Sequence, residues 1–117
     1  MSAKNIEIPL VVITYHDAFL WTLKHKKAEY HKSASVIQIS EEDRKSLGVS
    51  SGEAITLMNK LGRIEVRVEV DKSCPEGFGF MPKSSVVNRL ISFEEELPNS
   101  KWIDTIAGVH TAQDKND

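Results

Sequence analysis

One cysteine, Cys74, is all that the 117-residue sequence contains. With no second thiol, an intrachain disulfide is excluded, and so is a metal site built from several cysteines. Long apolar runs are missing too. No stretch approaches the roughly 20 apolar residues that span a bilayer, so no membrane partner is expected. The opening Met1-Ser2-Ala3-Lys4-Asn5 lacks the apolar stretch of a signal peptide, and a cytoplasmic location is the expectation. Positive charge is not in excess. The net charge is −2 with 27% charged residues, which does not favour a broad electrostatic grip on nucleic acid. Internal repeats and low-complexity linkers are absent as well. What remains reads as one domain over residues 1–117, long enough to bury about two-thirds of its unfolded surface. The polar end Thr111–Asp117 is expected to fray.

Pro9-Leu10-Val11-Val12-Ile13-Thr14-Tyr15 is a β-branched, nearly all-apolar run that suits a strand covered on both sides. His16–Lys32 mixes Phe19, Leu20, Leu23 and Tyr30 with Lys24, Lys26, Lys27 and Lys32, and reads as a helix or a long ordered loop. Val36–Ile39 is the next strand. Ser40 then caps a helix over Glu41–Leu47, Asp43 stands three residues on as in a capping box, and Gly48 supplies the left-handed stop. Glu53–Asn59 and Arg63–Val70 form a hairpin around Lys60-Leu61-Gly62. Its second strand alternates most clearly, with Ile64, Val66, Val68 and Val70 on one face and Arg63, Glu65, Arg67 and Glu69 on the other.

Phe78–Met81 is a fifth strand, whose Gly79 between two aromatics suggests close approach of another backbone or a bend. Lys83–Leu90 reads as a loop and a short helix ending near Ile91. Glu94-Glu95-Glu96 makes an acidic patch before Pro98. Trp102-Ile103 and Thr105–Val109 offer the last strand. Six strands with one or two short helices in this length argue for a mainly β, closed barrel. Residue pattern alone does not distinguish the barrel topologies.

Chemistry-bearing constellations are scarce. No Ser-His-Asp or Cys-His order, phosphate-binding glycine loop or paired catalytic carboxylates stand out, and His16, His25, His31 and His110 have no recognised metal spacing. Cys74 reads as an incidental thiol in a turn before Pro75. Lys60 and Arg63 beside Gly62 make a basic hairpin tip, and Lys24–Lys32 a basic stretch. Such charge runs are usually solvated faces.

The order Val36-Ile37-Gln38-Ile39, Ser40-Glu41-Glu42-Asp43, Leu47-Gly48, Ser51-Gly52, Lys60-Leu61-Gly62 and Pro75-Glu76-Gly77-Phe78-Gly79-Phe80-Met81-Pro82 resembles the molybdopterin dinucleotide-binding domain of molybdenum and tungsten oxidoreductases. The short chain is most similar to the small, D-type component of archaeal formylmethanofuran dehydrogenase. The resemblance covers about Leu10 to Val109. It implies a six-stranded double-psi β-barrel, and a non-catalytic subunit that helps to bind molybdopterin guanine dinucleotide. The molybdenum or tungsten would be held by a larger catalytic subunit, the expected partner.

That cofactor is a bulky anion, so its holder needs amides and small polar groups where rigid strands meet loops. By the resemblance, the first such place is the loop after the first strand, with Thr14, His16 and Asp17. The second is Met81 and Pro82, followed by Ser84 and Asn88. Lys83-Ser84-Ser85 stands where relatives carry a Gly-Pro-containing piece, and Asn88 is suited to a ring edge because an amide both donates and accepts. Two other readings compete. Double-psi barrels also serve as protein-interaction modules without cofactor. Asp43–Gly48 with Ser51-Gly52 is also superficially similar to small DNA-binding barrels of the transition-state-regulator type, which are about half this length.

Overall fold

The structure, a computed structural model, describes residues 5–23, 25–90 and 102–110. In chain order the elements are β1 (Asn5–Tyr15), α1 (Ala18–Thr22), α2 (Lys27–Ala34), β2 (Val36–Ile39), α3 (Glu41–Leu47), β3 (Ala54–Asn59) and β4 (Gly62–Val70). There follow β5 (Phe78–Pro82), a 3₁₀ turn (Val87–Leu90) and β6 (Trp102–His110). The acidic run Glu94-Glu95-Glu96 and the tail 111–117 lie outside the described residues.

The six strands close into a barrel in the order β1-β5-β2-β4-β3-β6, with β6 returning to β1. Two neighbouring pairs, β1·β5 and β2·β4, run parallel; the other four are antiparallel. A parallel pair cannot be joined by a tight hairpin, so the chain must cross over between its members. Residues 16–35, with α1 and α2, carry it from β1 to β2, and α3 with the β3–β4 hairpin carries it onward.

β1 begins at Asn5, four residues earlier than the apolar run suggests. Its antiparallel ladder with β6 extends from Asn5↔His110 to Ile13↔Trp102, and this long-range pairing recruits the weaker segment Ile6-Glu7-Ile8. Pro9 is accommodated because the β5 ladder starts only at Val11, so the missing amide faces no strand on that side. Leu10, Val12 and Thr14 point into the barrel and are buried, while Val11 and Ile13 on the outer side are half-buried.

The capped helix forms as its residues require. Ser40 Oγ accepts the Asp43 amide at 3.1 Å, and Gly48 ends α3 at φ 71° with its amide on the Arg44 and Lys45 carbonyls. Asp43 reaches further than a local cap. Its buried Oδ2 accepts from the Ser40 hydroxyl at 3.1 Å and from the Gly77 amide at 2.7 Å, which ties α3 to the turn that launches β5.

The core is aliphatic. Ile37 and Ile39 of β2, Ile55 and Leu57 of β3, Val66 and Val68 of β4, and Leu10, Leu47, Met81 and Leu90 fill it. β4 alternates as its sequence requires, except that Val70 at its end is only half-buried. Gly79 leaves room for side chains rather than for another backbone: a Cβ there would stand 2.5 Å from Ile37 Cδ1 and 3.2 Å from Leu10 Cδ2.

Val66→Ala should therefore lower the unfolding free energy by about 1–3 kcal/mol, because buried methyls vanish and a partial cavity remains. Arg67→Ala, on the exposed face, should stay within about 0.5 kcal/mol. Denaturant titrations compare the two, and equal midpoints would contradict the assigned face. By the same method, Gly79→Ala should cost about 1–3 kcal/mol by overpacking the space between Ile37 and Leu10.

Candidate functional site

Because β1 and β5 run parallel and adjacent, their C-terminal ends emerge side by side. Thr14 pairs with Met81 and Tyr15 with Pro82, and the Lys83 amide extends the ladder by donating to the Tyr15 carbonyl at 2.8 Å. Both loops singled out from the sequence thus leave the same end of the barrel. Thr14 and Met81 share an inward-facing register; Met81 is fully buried and Thr14 nearly so. They form the floor beneath the loops. Pro82 is also buried, whereas His16 and Asn88 are exposed.

Asp17 and Ser84 do local work. Asp17 Oδ1 accepts the Phe19 amide at 3.0 Å at the start of α1. Ser84 Oγ accepts the Val86 amide at 3.1 Å and its carbonyl accepts the Asn88 amide, while the Arg89 amide donates to the Val86 carbonyl in the 3₁₀ turn. Asn88 is thereby held on a short helical turn between Val87 and Arg89, with its side chain outside.

Alongside these loops opens a groove of about 860 Å³. α2 supplies Ala28, His31, Lys32 and the following Ser35; β4 supplies Ile64 to Arg67; the connection after β5 supplies Ser85, Val86 and Arg89. Lys32, Arg67 and Arg89 bring three positive charges beside the His31 imidazole, against the single carboxylate of Glu65. Carboxylates also stand near the β1 end. The Tyr15 phenol is pushed above its usual range first by burial and then by the carboxylates of Asp17 and Glu69.

His31 and Lys32 are exposed and also border the groove. The stretch Lys24–Lys32 reads as a solvated face, and its C-terminal end borders the groove because the crossover returns α2 beside β4 and the 83–90 connection. The available signal was His31-Lys32 followed by Ser35 at helical spacing just before β2. Lys60 and Arg63 are exposed at the β3–β4 turn and take no part in the groove. Among the described residues, no three His, Cys, Asp or Glu side chains converge as a metal-binding set.

The family model of the molydopterin dinucleotide binding domain matches residues 10–101. The chain belongs to that family. Its domain type binds a molybdopterin dinucleotide, and the groove fits such a group in charge and in size, since ligand sites commonly occupy about 300–1,000 Å³. No curated protein matches the sequence. Among solved structures, the rationally designed protein mkDPBB_sym1 aligns with a TM-score of 0.56 at 17% identity, covering 91% of this chain and 100% of its own. The computationally designed msDPBB_sym2 aligns with a TM-score of 0.58 at 15% identity, covering 90% and 99%. At such identities the likeness shows the fold, which is the double-psi β-barrel. No described helix is long and apolar enough to cross a membrane.

Cys74 stands apart from the groove. Burial first, then the carboxylates of Asp71 and Asp43, push its thiol up to about 11, and Sγ donates to the Phe78 carbonyl at 3.3 Å. Its thiolate is therefore scarce at pH 8. Labelling with a disulfide reagent at pH 8 should be more than about tenfold slower in the native protein than in denaturant, where the thiol returns to about 8.5. Equal rates would contradict this.

Proposed function

We propose that this chain is the cofactor-holding, non-catalytic component of a molybdenum- or tungsten-dependent oxidoreductase. A larger subunit would supply the metal ligand and the acid–base groups. The observation that carries this reading is the convergence of Lys32, Arg67, Arg89 and His31, from three separate elements, on one groove beside the β1 and β5 ends. The family's cofactor is anionic, and a cluster of cations with few acids is what its pyrophosphate requires.

Within that reading, Lys32 and Arg89 neutralise the phosphates, while His31 and the Ser85 hydroxyl offer further donors. Asn88 addresses the edge of a guanine, and His16 the ribose or phosphate beyond the β1 end. Thr14, Met81 and Pro82 hold the strand ends rigid beneath them, and Asp17 and Ser84 shape the two loops. When bound, the metal-pterin group supplies the redox chemistry. This chain contributes orientation and charge, the protein's usual share in cofactor chemistry. By resemblance, the assembly is formylmethanofuran dehydrogenase, the cofactor is the guanine dinucleotide, and the reaction interconverts carbon dioxide and the formyl group of formylmethanofuran in methanogenesis-type one-carbon metabolism.

A second reading, a double-psi-barrel interaction module without cofactor, draws on the exposed aromatic residues Trp102 (66%) and Phe19 (64%).

Titration of the labelled chain with guanosine diphosphate separates the two. Amide shifts should concentrate at 31–35 and 85–89, with an affinity on the order of millimolar because most of the cofactor's contacts are missing. Arg89→Gln should weaken binding and flatten its salt dependence. Expressed beside its partner, the chain should co-purify with a larger metal-pterin subunit, and alone it should oxidise neither formate nor formylmethanofuran. No shifts at high nucleotide concentration, or turnover by the chain alone, would overturn the reading.

A further inference from the structure

The connection 83–90 contributes Ser85, Val86 and Arg89 to the groove, yet its only regular element is a four-residue 3₁₀ turn. So short a turn does not hold itself in place. Val86, Val87 and Leu90 anchor its apolar side in the core, and two polar side chains from distant parts of the chain are bonded near its ends. Near its start, the Tyr30 hydroxyl of α2 accepts the Ser85 amide at 3.3 Å, across 55 residues of sequence. At its end, Asn59 Nδ2 donates to the Leu90 carbonyl at 2.9 Å and to the Asp104 carbonyl at 3.4 Å.

Asn59 is itself oriented, because its Oδ1 accepts the Leu61 amide at 2.8 Å in the β3–β4 turn. That turn presses on the connection: a Cβ at Gly62 would lie 3.1 Å from the Arg89 carbonyl oxygen. Neither Tyr30 nor Asn59 lines the groove.

We propose that Tyr30 and Asn59 are positioning residues for cofactor binding, which clamp the 83–90 connection at its two ends and so hold Ser85 and Arg89 opposite Lys32 and Arg67. The inference rests on the groove being the cofactor site. Tyr30 links the connection to α2, which carries His31 and Lys32. Asn59 links it to the β3–β4 hairpin and β6. The clamp thus adds to the core burial of Val86, Val87 and Leu90 in setting the spacing between the cations. A pyrophosphate bridging them meets charges already in place, so less ordering free energy is lost on binding.

Tyr30→Phe removes one acceptor oxygen and no charge, and the Ser85 amide it releases can turn to water, so the fold should be retained with Tm within about 2 °C. Hydrogen exchange at the Ser85 amide should accelerate about three- to tenfold, and the guanosine diphosphate Kd should rise about three- to tenfold. The slope of affinity against salt should stay as in the wild type, because no charge is lost; Arg89→Gln should flatten that slope and leave Ser85 exchange unchanged. Asn59→Ser should weaken the nucleotide in the same sense through the other end of the clamp. Wild-type shifts in the groove with an unaltered Kd in Tyr30→Phe, or unaltered Ser85 exchange, would overturn the inference alone. Absence of groove shifts in the wild type would overturn the groove reading and this inference with it.

Discussion

Two parallel ladders, β1·β5 and β2·β4, constrain everything else in this molecule. Parallel neighbours demand crossovers, and in so short a chain the crossovers must also serve as the walls of the site. The β1–β2 crossover brings α2 back beside β4, and the connection after β5 comes out next to the end of β1. The groove is what lies between these two excursions. Its strand side, Ile64 to Arg67, is rigid because β4 is paired with both β2 and β3, while helix and turn make its other sides.

Closure also explains where single residues matter. With β1 paired on both edges, no long strand edge on that side invites association. Gly79 lacks a side chain where Ile37 and Leu10 already fill the space a Cβ would take. Asp43 is buried with its oxygen on the Ser40 hydroxyl and the Gly77 amide, so one carboxylate starts α3 and aims β5 at once. Such buried polar contacts are stable only when satisfied, and this one is.

Charges of both signs stand near this end of the barrel. Asp17 and Glu69 surround Tyr15, whereas Lys32, Arg67 and Arg89 face the groove. With a net charge of −2, the chain has no general attraction for polyanions. The outer side of β1 and its neighbours is different again: Phe78 and Trp102 meet edge to face with ring centroids 6.1 Å apart, and Trp102 remains largely exposed.

Much of the fold was legible from local signals. The alternation of β4, the Ser40 and Gly48 boundaries of α3, and the strands Val36–Ile39 and Phe78–Met81 all reflect short-range sterics and solvent partition, which a linear pattern records. The loops after β1 and β5 read as candidate binding places because polar groups follow apolar strands, yet Thr14, His16, Asp17, Met81, Pro82, Ser84 and Asn88 are not among the residues lining the groove. Three things were decided only in three dimensions. The extension of β1 to Asn5 needs β6, nearly a hundred residues away, to stabilise a segment that is weak by itself. The role of Gly79 depends on which side chains face it across the barrel. The placement of His31 and Lys32 in a groove with Arg67 and Arg89 depends on the crossover's path, since nothing in a run of lysines tells solvent from a ligand. Local sequence determines what each segment is, whereas the crossover between parallel strands decides which segments meet.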